Sequence, residues 1–319
     1  MPAPKSPRHG SLQFYPRKRV TKFIPSVNWN VLKNIKFESN SILGLIAYKV
    51  GMATAIVKNT TDKAMTAGKR IAIPVTILEA PNMKIYSVRF YKKGKVVKDV
   101  VVSNDKELKH ILKVPKQASS LDHIPSDYDD IKLLLYSIPK QTSIKKTPDL
   151  AEVAITAENK LEFIKSLLNK EITLGDFVKT SLVDIRGLTK GKGLQGPVKR
   201  FGITLKAHKS EKGRRRPGSL APWHPARVTF RTPMAGQLGL FTRVHYNSKI
   251  ITSGNIKEKD INPKSGYKHY GKINSSYIVL NGSVQGPAKR QILLTPSFRP
   301  TKSQAKKKYE FVELIGDLK

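Results

Sequence analysis

The chain has 319 residues, 39% of them hydrophobic, and its 59 lysine and arginine residues against 23 acidic ones give a formal net charge of +36. This length predicts about two ordinary domains, and this excess of positive charge favours a polyanionic partner, above all a nucleic acid. Cysteine is absent, which excludes disulfides and thiol catalysis, and Lys49 and Gly51 interrupt the longest apolar stretch, which argues against a membrane-spanning helix.

Charge is spread unevenly along the chain. Residues 1–36 hold eight lysine or arginine residues and no acid, which predicts an extended basic arm. Residues 121–185 hold eleven acids against eight bases, as in an ordinary soluble domain. Residues 186–250 hold fifteen bases against the single acid Glu211. Because residues 186–250 are also rich in glycine and proline, they predict a long loop system built for a polyanion.

The apolar pattern predicts strands first and then two helices. Runs of β-branched and aromatic residues predict strands over 42–58, 70–79, 83–91 and 95–103, the last two joined as a hairpin. The first helix is predicted within 104–114, with Asn104 as its N-cap and Glu107 as the capping-box partner. The second is predicted within 158–170, with an apolar face expected to lie in the core and formed by Leu161, Ile164, Leu167 and Leu168.

Strands return after the second helix. A turn at Gly175 and Asp176 precedes a predicted strand over 177–185, which leads the chain into the basic loop. Further strands are predicted within 275–284, 291–296 and 309–315. Together these elements predict a mainly β body, an α+β insertion near 104–170 and a long basic excursion.

The stretch TKGKGLQGPVKR, residues 189–200, has glycines at the spacing of the dinucleotide-binding fingerprint. That fingerprint needs a helix after its third glycine and an acidic residue about 20 positions later. The residues after Gly196 lack an apolar helical stripe, so no helix is expected there, and Glu211 lies in a basic stretch rather than at the end of a strand. A cofactor is therefore not expected, although a nucleotide-dependent or RNA-modifying enzyme remains an alternative.

Glycines alternating with lysines suit the phosphates of a polymer better. Such glycines let the backbone approach closely, so backbone amides and the side chains of Lys190, Lys192, Lys199 and Arg200 can meet phosphate together. Downstream, Arg214–Arg216 form a like-charge run, and Trp223 lies between prolines in the same basic stretch. This tryptophan suits stacking on a base or insertion into RNA, with a core tryptophan as the alternative. On charge alone, a solvated basic face or a chromatin-like DNA binder also remains open.

Catalysis and metal binding are not expected. The sequence has no nucleophile elbow of the type Gly-x-Ser-x-Gly. The acidic cluster at residues 127–130, Asp-Tyr-Asp-Asp, is interpreted as a solvated turn, with a metal site as the alternative. No spacing typical of a metal site occurs among the seven histidines, which are His9, His110, His123, His208, His224, His245 and His269.

Five segments carry a family resemblance. They are SPRHGSLQFYPRKR (6–19), LGLIAYKVGMATAIV (43–57), GLTKGKGLQGPVKRFG (187–202), RRRPGSLAPWHPARV (214–228) and GQLGLFTRVHYNSKI (236–250). Together they resemble the large-subunit ribosomal protein L3 family, universal family three, in its archaeal and eukaryotic form. The resemblance extends over essentially the whole chain, although the acidic middle is recognisable mainly by its position.

The resemblance implies a fold and a division of the chain. The fold is a six-stranded barrel of the translation-protein type with an α+β insertion, an extended N-terminal arm and a central finger that enters ribosomal RNA. The implied divisions are a basic arm over 1–40, a split barrel body over 41–103 and 171–319, an insertion over 104–170, and a glycine-rich basic loop and finger over 187–250.

The resemblance also implies a fingertip near the peptidyl transferase centre, with Trp223 matching the family's fingertip tryptophan. The side chains expected to bind RNA are Arg8, His9, Arg17, Lys18, Arg19, Lys190, Lys192, Lys199, Arg200, Arg214, Arg215, Arg216, Trp223, His224, Arg227, Arg231 and Arg243. Two positions depart from the family. Glu211 stands where eukaryotic relatives have a histidine that can be methylated, so no modification is expected, and Phe201 stands where many relatives have tryptophan.

The implied function is that of a structural constituent of the large ribosomal subunit, without enzymatic activity or cofactor. The expected partners are large-subunit ribosomal RNA and neighbouring large-subunit proteins, with no membrane and no homo-oligomer. Since the N-terminal residues contain no apolar signal region, the expected location is the cytoplasm, in the ribosome.

Overall fold

The structure, a computed structural model, describes residues 8–35, 37, 40–119, 121, 124–168, 170–177, 180–209 and 212–315. The chain divides into two compact units. The first, called the loop unit, comprises Met1–Lys22 and Leu188–Thr242. The second, called the body unit, comprises Phe23–Gly187 and Arg243–Lys319.

Most of the regular structure is strand. The strands are β1 (Ser41–Ile42), β2 (Leu45–Asn59), β3 (Arg70–Ala80), β4 (Met83–Lys92), β5 (Lys95–Val101), β6 (Asp130–Ser137), β7 (Leu150–Thr156), β8 (Leu182–Leu188), β9 (Leu194–Gln195), β10 (Gly236–Gln237), β11 (Thr242–Asn255), β12 (Ser276–Asn281), β13 (Gln291–Pro296) and β14 (Tyr309–Ile315). The helices are α1 (Lys160–Leu167), α2 (Pro197–Phe201) and α3 (Lys302–Lys306). Four 3-10 turns lie at Trp29–Asn34, Lys106–His110, Pro139–Thr142 and Leu174–Asp176.

Two sheets build the body unit. A five-stranded sheet has the order β1-β7-β6-β4-β5, and a seven-stranded sheet has the order β13-β8-β11-β12-β3-β2-β14. Because β13 also pairs with β2, the strands β13, β8, β11, β12, β3 and β2 follow one another in a closed ring, with β14 beside β2. A ring leaves fewer strand edges with unpaired backbone groups than an open sheet does.

One hydrophobic cluster joins the two sheets. It includes Ile46 and Leu78 from the ring and Val88 and Leu133 from the five-stranded sheet, all 0% exposed. The first six residues of β2, LIAYKV, are all buried, which explains why this stretch is almost continuously apolar. Its second half alternates in burial and carries the exposed Met52.

The predicted mainly β architecture is confirmed, and several elements have the predicted bounds. Strands β13 and β14 coincide with the predicted segments, and β4 and β5 form the predicted hairpin, with Lys92 opposite Lys95. The predicted second helix corresponds to α1. Its N-cap Asn159 accepts a hydrogen bond from the amide of Glu162, Ile164 and Leu167 are buried, and the core also contacts the remaining predicted face residues, Leu161 and Leu168.

The predicted helix within 104–114 is wrong in type and length. Only the 3-10 turn Lys106–His110 forms, with Asp105 rather than Asn104 at its N-cap position and no capping hydrogen bond from a side chain. The Asp105 carboxylate instead accepts a hydrogen bond from the Tyr136 hydroxyl of β6. Leu108 is the one buried residue of this turn, so a longer helix would lack an apolar face to pack.

Two strands extend into the residues predicted as a basic loop, 186–250. Strand β8 starts at Leu182, not at 177, and extends to Leu188, and β11 starts at Thr242, well before residue 250. Two of the residues in the predicted strand, 178 and 179, lie outside the described residues. Pairing with neighbours in the ring extends both strands into the basic, glycine-rich sequence, because ladder hydrogen bonds do not depend on side-chain polarity.

Glu79 ties the segment before β12 to β3. Its side chain is 0% exposed. It accepts hydrogen bonds from the backbone amides of Asn274 (2.8 Å) and Ser275 (2.9 Å) and from the hydroxyl groups of Ser275 and Tyr270. Burial raises the pKa of the Glu79 carboxyl above its ordinary value, and the hydrogen bonds counteract part of that effect.

We expect Glu79→Gln to change how stability depends on pH. Because the folded state holds the Glu79 proton more tightly than the unfolded chain does, the contribution of Glu79 is largest below about pH 4.3 and falls as the pH rises towards the folded pKa. Glutamine does not titrate. The unfolding free energy of the wild type minus that of Glu79→Gln should therefore decrease from about pH 4 to about pH 7, measured by urea unfolding.

Exposed Glu310 on β14 offers the control for this prediction. Glu310→Gln removes the same charge without a buried network, so its difference from the wild type should vary much less over the same pH range. A Glu79→Gln difference that stays flat or grows with pH would contradict the assigned direction of the shift.

Candidate nucleic-acid interface

Two chain segments join at the base of the basic loop. The amide of Thr189 donates to the carbonyl of Phe241 (3.0 Å), and the amide of Lys192 donates to that of Leu238 (3.0 Å). Strand β9 then pairs with β10 in antiparallel register. The glycine-rich stretch is therefore one side of a ladder, and its glycines serve the approach of two backbones.

Gly239 shows this requirement most sharply. Its φ is +74°, and a Cβ atom built there would lie 2.0 Å from the carbonyl oxygen of Lys190. Left-handed backbone at this contact distance leaves room for glycine alone. The sequence GQLG does not reveal this by itself, because the clash comes from a residue on the opposite segment.

The prediction that no helix follows Gly196 is wrong. One helical turn, α2, forms with Gly196 at its N-cap, Pro197 in its first turn and the left-handed Gly202 at its end. Proline at the start and glycine at the end favour a turn without any apolar stripe, which only a longer helix would need. The turn buries Phe201 and presents Arg200 and Lys199 in its last residues.

Arg17 and Arg200 link the basic arm to the loop. Arg200 donates through Nε to the carbonyl of Gln237 (3.0 Å), through Nη1 to that of Met234 (2.9 Å) and through Nη2 to that of Arg17 (3.1 Å). Arg17 returns a hydrogen bond of 2.7 Å to the carbonyl of Arg200, and its guanidinium lies 4.3 Å from the centre of the Phe201 ring. Burial lowers the pKa of Arg200. Both arginines thus have defined contacts within the protein, and their contact with RNA stays a prediction.

Two other arm residues, Arg8 and Tyr15, also contact the loop. Arg8 donates to the carbonyl of Arg231 (2.6 Å), and the ring of Tyr15 packs edge-on against Phe230 at 5.8 Å between centroids. Gly10 has φ +80°, and a Cβ atom there would lie 2.6 Å from Nη2 of Arg17. The sequence around Gly10, between His9 and Ser11, contains no signal of this contact.

The predicted RNA-binding side chains are mostly exposed. All but Arg243, which lies on β11 in the body unit, belong to the loop unit. Arg17, Arg200 and Arg243 are half-buried. The exposed members are Arg8, His9, Lys18, Arg19, Lys190, Lys192, Lys199, Arg214, Arg215, Arg216, Trp223, His224, Arg227 and Arg231.

Trp223 is 87% exposed, so the alternative of a core tryptophan is wrong. Phe230 (67%) and Val228 (52%) are exposed near it in sequence. The arginine run before them contributes to a hairpin-like link, in which Nε of Arg214 donates to the carbonyl of Lys206 (3.0 Å) and the amide of Lys206 donates to that of Arg214 (3.2 Å). This part of the loop unit therefore exposes both aromatic and basic side chains.

The loop unit has almost no negative charge to balance these side chains. Its sequence includes the single acid Glu211, which lies outside the described residues. Among the histidines considered as metal ligands, His123 of the body unit also lies outside them. A high density of arginine without carboxylates is stable only when solvated or bound to an anion. The surface is therefore suited to phosphate contacts, with the exposed rings available for bases.

The acidic cluster in the body unit has partners of its own. Asp127 pairs with Lys92, Asp129 accepts from the amide of Lys93 (2.7 Å), and Asp130 pairs with Lys160 (2.5 Å). Each carboxylate is thus directed to a different cation or amide and not to a common centre. Within the described part of the chain, no group of three metal-ligating side chains is close enough to hold a metal ion, and no helix is long and apolar enough to span a membrane.

Comparison with known proteins decides the family. The family model described as Ribosomal protein L3 matches residues 1–109 and 92–315. The chain belongs to the ribosomal protein L3 family. It is 37% identical over 313 residues to the large ribosomal subunit protein uL3 of Methanocaldococcus jannaschii, with 92% of each chain covered. It is 36% identical over 314 residues to the uL3 protein of Archaeoglobus fulgidus, with 93% of each covered.

The resemblance read from the five sequence segments is thereby confirmed, including its archaeal character. As a member of the L3 family, the chain is a ribosomal protein, a structural constituent of a ribonucleoprotein active in translation rather than an enzyme. The glycine-rich stretch with the dinucleotide-like spacing pairs with the return segment of the loop.

We expect Gly239→Ala to open the base of the loop. The added methyl group would collide with the carbonyl of Lys190, and left-handed backbone strain costs about 1–3 kcal/mol. The amides of Lys192 and Leu238 should then exchange their hydrogens at least about tenfold faster than in the wild type. Gly196→Ala is the matched control, because nothing lies within 4 Å of its Cβ position. Equal exchange in the two variants would refute the assigned contact.

Proposed function

We propose that this chain is a structural constituent of the large ribosomal subunit and that its loop unit binds large-subunit ribosomal RNA. The relatives are named large ribosomal subunit proteins. The RNA proposal rests on one observation, the composition of the loop unit. This unit exposes arginines, lysines and Trp223 and has one acid in its sequence. Direct contacts to phosphates would position the protein on RNA, and stacking on Trp223 would hold an unpaired base.

The proposed fold follows the same family. The closed ring of β13, β8, β11, β12, β3 and β2 supports a six-stranded barrel of the translation-protein type. In this proposal residues 1–40 are the arm, 41–103 and 171–319 the barrel body, 104–170 the insertion, and 187–250 the loop and finger that enter RNA.

The proposed role near the peptidyl transferase centre is to shape RNA. Trp223 lies at the fingertip in this proposal, and Lys190, Lys192, Lys199 and Arg214–Arg216 neutralise phosphates along the finger. Peptide-bond chemistry would belong to the RNA, while the protein supplies fixed positive charge and an aromatic surface. Its neighbours would be other large-subunit proteins, and one copy would act without self-association.

Salt dependence tests the electrostatic part of this proposal. If ten or more phosphates are neutralised, the log of the affinity for large-subunit RNA should fall against log salt with a slope of magnitude about 7 or more. Replacing Arg214–Arg216 by glutamine should reduce that magnitude by about 2–3. A filter-binding titration over a range of salt concentrations measures both.

Two comparisons make this test decisive. The matched variant replaces Lys306–Lys308, a run of three bases in the body unit, by glutamine. It should reduce the magnitude of the slope by less than the Arg214–Arg216 variant does. Random duplex DNA serves as competitor. Equal affinity for that DNA and for large-subunit RNA, or a shallow slope in the wild type, would contradict the proposed function.

Trp223→Ala tests the fingertip. Because Trp223 is 87% exposed, the variant should keep the melting temperature of the wild type while reconstituted large subunits assemble poorly or show altered chemical reactivity of catalytic-centre RNA. Trp223→Phe, which keeps an aromatic ring, should restore most of the subunit assembly. The control Trp29→Ala removes a side chain that is 4% exposed and donates to the carbonyl of Glu152, so it should lower the melting temperature. Normal assembly with Trp223→Ala would overturn the assignment.

A further inference from the structure

A polar cleft lies in the body unit beside β11. Its volume is about 400 Å³, and its lining includes the side chains of His245, Tyr246, Lys249, Asn281, Thr301 and Gln304. This volume falls in the range of small-ligand sites, about 300–1,000 Å³, and greatly exceeds the space that a phosphate ion needs. The family assignment gives this cleft no role.

Lys249 is a largely buried lysine whose ammonium keeps access to solvent in the cleft. Its side chain is 8% exposed, and its ammonium makes no hydrogen bond or ion pair with any other residue in the described ranges. Burial lowers the pKa of the Lys249 ammonium. An ammonium at an open cleft that has no partner among the described residues is available to an anion.

Among the described residues, Lys49 is the other buried lysine, and its ammonium has protein partners. Lys49 is also 8% exposed, but its ammonium donates to the carbonyls of Val284 (2.5 Å) and Gly286 (3.0 Å). Backbone carbonyls thus satisfy Lys49, whereas Lys249 lines an open cleft. The difference between the two points to an anion from outside the chain as the partner of Lys249.

The backbone beside Lys249 is held in an unusual conformation. Asn247 has φ +59° within β11, a value rare for residues other than glycine. Two contacts hold it there. Its amide donates to Oδ1 of Asp184 (2.9 Å), which is 1% exposed, and its own Oδ1 accepts from the hydroxyl of Ser297 (2.5 Å). Strained backbone of this kind persists where the surroundings fix it, commonly at ligand sites.

This conformation leaves Tyr246 61% exposed at the cleft, one residue before Asn247. An exposed aromatic ring next to a buried cation combines the two groups that bind a nucleotide, since the cation pairs with phosphate and the ring stacks on a base. Asn281 and Gln304 add amide groups able to hydrogen-bond base edges.

We propose that this cleft binds one nucleotide of an RNA chain, with Lys249 at the phosphate and Tyr246 against the base. The inference rests on the proposed function in one respect, namely that RNA is the partner. A free mononucleotide would present the same phosphate group beside a base. The test therefore distinguishes a nucleotide within an RNA chain from a free mononucleotide.

Affinity measurements with the full chain test the proposal. Lys249→Met and Tyr246→Ala should each weaken binding to large-subunit RNA by about tenfold, because a charge-assisted contact or one stacked base is lost. Tyr246→Phe keeps the ring and should bind as the wild type does. Lys257→Met removes an exposed lysine and should cost less than about threefold.

Failure of the proposed function and failure of the cleft proposal would give different results. If the wild type itself does not prefer large-subunit RNA, the proposed function fails. If the wild type binds this RNA and both cleft variants match Lys257→Met, the cleft proposal fails alone. A calorimetric titration of the wild type with uridine monophosphate and with inorganic phosphate forms the second arm. Tight binding there that Lys249→Met abolishes, with RNA affinity unchanged, would assign the cleft to a free nucleotide and overturn the proposal.

Ultraviolet crosslinking of the unaltered protein removes any dependence on how the variants fold. In a complex with large-subunit RNA, the peptide containing Tyr246 should carry a crosslinked nucleotide identifiable by mass spectrometry. Crosslinks confined to loop-unit peptides such as the one containing Trp223 would count against the cleft and leave the proposed function standing.

Discussion

Hydrogen bonds from arginine to backbone carbonyls hold the loop unit together. In the described part of that unit, Leu188 and Phe201 are the only hydrophobic side chains that are buried, so a conventional core is absent there. Arg200 donates to three carbonyls and Arg17 donates to two, while Phe201 packs against the Arg17 guanidinium. A delocalised cation with several directed donors can satisfy backbone groups in a segment that has few apolar residues. The same residue type that makes the surface basic also organises it.

The body unit relies on the opposite strategy. Its two sheets share one apolar core, and its buried polar groups are mostly satisfied by specific partners, as Glu79 and Lys49 illustrate. Such networks fix the connections between strands, because each buried group that loses its partner costs free energy. Against that background Lys249 stands out, because its ammonium has no partner among the described residues, and we propose that its partner comes from another molecule.

The glycine-rich stretch explains why an enzyme-like motif occurs in a structural protein. Glycine permits close approach and left-handed backbone in any context, whether the neighbour is a pyrophosphate or another segment of the chain. Here the neighbour is the return segment of the loop, most closely at Gly239. The spacing alone therefore has little power to identify a cofactor, and the surrounding charge is the better guide to the partner.

The sequence by itself determined the mainly β architecture, the family and the basic character of residues 186–250, because strand periodicity, motifs and charge are local. It also predicted β13, β14 and helix α1, whose apolar faces are visible in a few residues. Only the tertiary structure decided the start of β11, the closed ring, the carbonyl contacts of Arg200 and the left-handed Asn247. These depend on partners far along the chain, such as Arg17 and Arg200, 183 residues apart, and a local pattern holds no record of such a partner.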